Sequence, residues 1–157
     1  MRLVSTFCSG ALACVMLVLA GCGGSSPPKA IATKASIIAS TEVNPNAQGR
    51  PSPVHVRIFQ LRDDSAFMSA EFSSLVEKEQ ETLGASLVRR SEEDLSPGDE
   101  REFELTIAPE TRMVGVVAEL ANYRNARWRA VTRAPTKEKE RVLIRIDRDQ
   151  TSIRVGR

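Results

Sequence analysis

Alternation of apolar and polar residues divides most of the chain into short strands. From Ile31 the odd positions read Ile31, Thr33, Ala35, Ile37, Ala39, Thr41 and Val43, against Lys34, Ser36, Ser40 and Glu42 at even ones. A period of two places one face in a core and the other in water, so the first strand is half-buried. Val54, Val56 and Ile58 repeat the pattern in a second strand; Phe103, Leu105 and Ile107 alternate with Glu102, Glu104 and Thr106 in another. Val142, Ile144 and Ile146 do the same near the end, where Ile153 and Val155 close the chain. Met113 to Ala121 is almost continuously apolar, which predicts a central strand covered on both faces. Trp128 to Arg133 supplies a shorter strand, with Trp128 turned inward and Arg127 and Arg129 left in water, and the charged run Arg89 to Asp94 fits an edge strand.

Two stretches break this rhythm. Asp63, Asp64 and Ser65 offer helix-capping oxygens, and Met68, Phe72, Leu75 and Val76 follow at helical spacings, predicting a helical insertion over about 64–84 that Gly84 can end. Asn44, Pro45, Asn46, Gly49, Pro51 and Pro53 crowd together ahead of the second strand; fixed φ, missing N–H donors and tolerance of positive φ make this a prominent loop. About eight strands punctuated by turns, with one helical insertion, predict a mainly β fold, a two-sheet β-sandwich over 32–157.

The 157 residues suit one domain, and 41% hydrophobic with 27% charged residues is ordinary for a globular chain. A net charge of +2 gives no sequence-wide reason to expect nucleic acid or an anionic surface as partner. The N-terminus adds a different signal. Arg2 precedes an apolar and small-residue run through Ala20, and Leu19-Ala20-Gly21 leads into Cys22. Residues 1–21 read as a signal peptide, and Leu-Ala-Gly-Cys looks like the bacterial motif at which the cysteine is acylated. A transmembrane anchor is the competing reading, but the run is short for a span and no Lys or Arg cluster follows it. Cys8 and Cys14 leave with the signal peptide, so the mature chain keeps Cys22 alone, carrying a covalent lipid, and can form no internal disulfide. Residues 22–31 contain the spacer Gly23 to Lys29, a tether whose roughly ten residues reach ~18 Å.

Candidate catalytic chemistry is thin. The single histidine, His55, stands in the second strand without a nucleophile in its local pattern, and it is assigned no catalytic role. Glu92, Glu93 and Asp94 lack metal-ligand spacing and read as a solvated face. No metal, cofactor or small-molecule substrate is expected. Tyr123-Arg124 and Arg127-Trp128-Arg129 have the composition of single-stranded nucleic-acid binders, but an exported chain does not ordinarily meet that ligand. The loop at Asn46 to Arg50 is longer than two strands need, and a long loop on a rigid sandwich is where binding residues commonly sit.

Several residues fall into a recognisable series: Asn44-Pro45, Gly49-Arg50, Ser52-Pro53-Val54 and Val56-Arg57-Ile58-Phe59-Gln60-Leu61, then Phe67, Ala70, Phe72 and Leu75. Pro97-Gly98, Gly115-Val116 and Trp128-Arg129 follow in register. The series resembles the TssJ family, outer-membrane lipoproteins of the type VI secretion system. That resemblance implies a transthyretin-like β-sandwich with a small helical addition, held by lipid in the outer membrane and facing the periplasm, with no enzyme activity. It implies binding to the periplasmic C-terminal region of TssM within an envelope-spanning complex. The family's contact loop maps onto Asn46, Ala47, Gln48, Gly49 and Arg50. A lipoprotein that binds peptidoglycan or an inhibited enzyme would share the anchor and the sandwich, and is the alternative.

If Cys22 carries the anchor, Cys22→Ser abolishes fatty-acid incorporation, because an uncleaved apolar segment does not substitute for buried acyl chains. Metabolic labelling checks this, and label retained by the variant would place the anchor elsewhere.

Overall fold

A computed structural model describes residues 29–157; the signal peptide, Cys22 and most of the tether lie outside the described residues. The elements in order are β1 (Ile31–Ala39), β2 (Val54–Leu61), α1 (Ser65–Ser69), α2 (Phe72–Glu77), α3 (Glu79–Leu83) with a single 3-10 turn at Gly84–Ser86, β3 (Leu87–Leu95), β4 (Glu100–Ile107), β5 (Met113–Ala118), β6 (Arg129–Arg133), β7 (Arg141–Ile146) and β8 (Thr151–Gly156). Two four-stranded sheets face each other, one in the order β4-β1-β7-β8 and the other β3-β2-β5-β6. Every pairing is antiparallel except β1 with β7. This is the mainly β, two-sheet sandwich that the alternation predicts.

The period of two decides what lies between the sheets. Ala35, Ile37 and Ala39 from β1, Val54, Val56 and Ile58 from β2, Val114, Val116 and Ala118 from β5, and Val142, Ile144 and Ile146 from β7 all enter one buried cluster. β1 stops at Ala39, short of the alternation that runs to Val43. Ser40 donates its N–H to Ile146 O and accepts one from Val43, so the chain turns there while Val43 stays buried. Gln60 is a polar exception between the sheets. Its Nε2 donates to Thr106 O at 2.9 Å, and its Oε1 accepts from Ala108 N at 2.9 Å and from Thr111 Oγ1 at 3.0 Å, which satisfies a buried amide and fastens the β4–β5 connection.

A second buried cluster lies on the outer side of the sheet β3-β2-β5-β6. Phe59, Leu61 and Val117 point away from the sandwich and are covered by Phe67, Leu75 and Leu83 from the helices. The insertion comprises three short helices rather than one continuous rod: the chain is extended at Ala70 (ψ 148°) and irregular at Lys78. Phe67, rather than Met68, enters the core, and Met68 is exposed. Phe67 rests directly on Gly115, where a Cβ would lie 2.8 Å from the ring. Trp128 is half-buried and packs against both clusters. Arg129 is not left in water: it donates to Phe67 O (2.9 Å) and Ala70 O (2.6 Å), lies over the Trp128 ring at 4.6 Å, and so ties the end of α1 to β6.

Arg89 to Asp94 belongs to β3, an edge strand as predicted. Its acids are not simply solvated. Arg57 donates to Glu79 at 3.0 Å and to Glu119 at 2.8 Å, with Glu92 at 3.7 Å; Arg90 joins the same cluster through Glu79 and Glu92. Glu93 lies 3.4 Å from Arg101. The cluster links α3 to the middle of the sheet.

The Phe67–Gly115 contact sets a stability expectation. Gly115→Ala forces overpacking in a site with no slack and costs about 1–3 kcal/mol. Denaturant titration checks it, and adding Phe67→Leu to the same chain recovers part of the loss if the ring is what the new methyl strikes.

Candidate partner-binding site

The β1–β2 connection, 40–53, is an ordered loop built around two asparagines. Asn44 is buried and takes φ +48°, a left-handed conformation that asparagine tolerates better than most residues. Its Nδ2 donates to Pro53 O at 2.7 Å and its Oδ1 accepts from Ala121 N at 2.7 Å, so one side chain closes the loop on itself and bolts it to the β5–β6 connection. Asn46 organises the tip. Its Oδ1 accepts from Gln48 N and Arg50 N, both at 3.0 Å, while its own N–H donates to Arg50 O at 2.9 Å and Gly49 N donates to Asn46 O at 2.8 Å. Gly49, at φ +74°, completes the turn. Ala47, Gln48, Gly49 and Arg50 are exposed, with Asn46 half-buried beneath them.

Strand direction brings other loops to this tip. β1 ends at Ala39 and the parallel β7 at Ile146, and the antiparallel β5 and β2 put the 119–128 connection at the same end. Asn44 N donates to Arg148 O at 3.3 Å, Arg127 N to Asp149 O at 2.9 Å, and Thr151 N to Arg127 O at 2.8 Å. Between the three loops opens a cleft of about 470 Å³, lined by Asn44, Asn46, Leu120, Ala126 and Arg148 among others. All five residues expected to form the contact are therefore on one turn, and the structure adds a floor and a wall to it that single-strand patterns do not reveal. The β7–β8 turn at 147–150 comes to this end only through the parallel β1–β7 pairing.

The chain enters the sandwich at the other end. Ile31 pairs with Ile107 and Lys34 with Arg141, so the β4–β5 and β6–β7 connections and Gly156 surround the entry point. The length of β1 separates that end from the loop tip.

Other candidate chemistry does not converge. His55 Nδ1 lies 2.7 Å from Asp94 Oδ1 and Nε2 lies 3.6 Å from Glu92, and the hydrogen bond to Asp94 raises its pKa above 6.5 against the opposing effect of partial burial. Among the described residues no Ser or Thr hydroxyl hydrogen-bonds to it. Among the described residues no group of three or more His, Cys, Asp or Glu is placed to hold a metal ion, and no helix is long and apolar enough to cross a membrane.

A family described as "Type VI secretion lipoprotein, VasD, EvfM, TssJ, VC_A0113" matches residues 32–149, the sandwich from β1 to the β7–β8 turn. The chain belongs to this family. Among solved structures, the type VI secretion lipoprotein TssJ1 from Pseudomonas aeruginosa is 30% identical, with a TM-score of 0.76 over 82% of this chain and 98% of that one. Serratia marcescens Lip, a membrane-bound component of the type VI secretion system, is 25% identical, with a TM-score of 0.71 over 82% of this chain and 98% of that one. A structure described as the T6SS protein TssM C-terminal domain (869-1107) from EAEC matches at 23% identity, with a TM-score of 0.63 over 78% of this chain and 97% of the chain compared, a likeness of fold alone. No curated protein matches by sequence. The family is one of type VI secretion lipoproteins.

Asn44 is the residue on which the loop's shape rests. Asn44→Ala strands the Ala121 N–H and the Pro53 carbonyl and lowers stability by about 1–3 kcal/mol. Denaturant titration measures the loss, and a change below experimental error would show that the bridge is replaced by water.

Proposed function

We propose that this lipoprotein is held in the outer membrane by acyl chains on Cys22, faces the periplasm, and binds the periplasmic C-terminal region of TssM through Asn46, Ala47, Gln48, Gly49 and Arg50, so helping to assemble the envelope-spanning complex. The observation that carries the reading is the polarity of the sandwich. With the chain entering at Ile31, a lipid on Cys22 leaves the loop tip at the far end of β1, pointing away from the bilayer toward a periplasmic partner. Gly23, rather than aspartate, follows the cysteine, which on the sorting pattern familiar from enteric bacteria favours the outer membrane.

Membership of the secretion lipoprotein family supports the setting, and the TssM-described structure supports the partner. The tip's hydrogen bonds hold the exposed backbone in one conformation before binding, which reduces the ordering cost of association. Arg50, exposed at the tip, is the strongest single contributor because its guanidinium forms directional, charge-assisted pairs.

The test replaces Asn46 to Arg50 by a Gly/Ser linker while keeping Asn44. Folding changes little, since Asn44 still closes the loop base, and affinity for the TssM region falls about ten-fold or more. A normal melting curve with unchanged affinity would move the contact off this loop.

A further inference from the structure

Among the described residues no helix covers the outer face of the sheet β4-β1-β7-β8, in contrast to its counterpart. Strand register arranges its side chains in three rows across β1. Glu104, Lys34 and Arg141 form one row; Glu102, Ser36 and Leu143 the next; Glu100, Ile38 and Arg145 the third. β1 thus runs between an acidic column on β4 and a column on β7 with an arginine at each end. Within the chain these charges are thinly paired. Arg141 approaches Glu102 at 3.9 Å, Arg145 pairs through its Nε with Asp147 at 3.0 Å, and Glu100 and Glu104 form no ion pair among the described residues. Ile38 and Leu143 are half-buried.

We propose that this face packs against the same face of a second copy of the chain, about a two-fold axis lying along β1. A two-fold interface must be self-complementary, and two face-to-face arrangements are open to a sheet. An axis across the strands sets the acidic column over itself and sends the two entry points at Ile31 to opposite ends. An axis along β1 sets Glu104 over the second copy's Arg141 and Glu100 over its Arg145, each twice, and keeps both entry points at one end. Charge and anchoring select the same axis; the anchoring half of the argument rests on the lipid at Cys22. On the axis Ile38 and Ser36 meet their own counterparts, so no carboxylate is buried at the centre. Lys34 also meets itself, with a Glu104 beside each copy. The ion pairs lie toward the rim, where they set orientation more than affinity. Confinement to one leaflet raises the effective concentration of such a weak pair.

The experiment uses the full acylated chain in the bacterial envelope. Cys22 carries lipid, so a single Ile38→Cys substitution supplies the free thiol on the axis, and mild oxidation is expected to give a disulfide dimer. Ser73→Cys, exposed on α2, serves as the collision control. Glu100→Arg with Glu104→Arg lowers the Ile38→Cys dimer about ten-fold, as like charges then face each other, and adding Arg141→Glu with Arg145→Glu to the same chain restores it. That recovery separates lost complementarity from lost folding. A dimer no stronger than the control, or one indifferent to charge reversal, overturns the proposal. Membrane fractionation and fatty-acid labelling on the same samples keep the readings apart: an acylated, membrane-bound chain that does not cross-link overturns the dimer alone, whereas an unacylated chain in the soluble fraction overturns the anchor and the choice of axis with it.

Discussion

A strand has two faces, and the inner strands of the sheet β3-β2-β5-β6 bury both. Val54, Val56 and Ile58 face the other sheet while Phe59 and Leu61 face the helices, and β5 repeats the arrangement with Val116 on one side and Val117 on the other. Much of the architecture answers that constraint. The helical insertion exists as a lid for the second face, and its helices are short because Phe67, Leu75 and Leu83 must each drop onto a small apolar patch rather than follow one straight axis. Gly115 is glycine because the Phe67 ring occupies the place of a side chain. Where the apolar cover ends, Arg57 meets Glu79 and Glu119, so the lid is fastened by charge beyond the reach of burial.

The other sheet carries the polarity of the molecule. One parallel pairing, β1 with β7, in an otherwise antiparallel structure sends the Ser40–Pro53 and Asp147–Gln150 connections to a common end, and Asn44 fixes them to the third loop. The loop is thus tied in by hydrogen bonds, with Val43 and Leu120 joining its base to the core.

How far the sequence reveals this depends on whether the governing contact is local. Period two locates β1, β2, β4, β7 and β8, because it depends only on neighbours in the chain, while β5 is marked by its continuous apolar run and β3 by its charged one. The alternation overruns β1 by four residues: the bond from Ser40 to Ile146 that turns the chain links positions 106 apart. Helical spacing selected Met68, but Phe67 faces inward because Gly115 leaves it room. Arg129 and Glu92 read as solvated because each finds its partners on another element. For the candidate site, the five tip residues could be named from loop chemistry, whereas Leu120, Ala126 and Arg148 join them only through sheet topology.

The edge of the helix-covered sheet has a further effect on life in a crowded leaflet. An unpaired strand edge is a template for a neighbour's backbone, and tethering many copies side by side multiplies the encounters. β3 exposes Arg89, Arg90, Ser91, Glu92 and Asp94 along that edge and has no long apolar stretch to offer an incoming strand. Arg57, Arg90 and their acids also hold these side chains in place above the sheet. The same cluster that fastens the helices thereby makes this edge a poor template for an incoming strand.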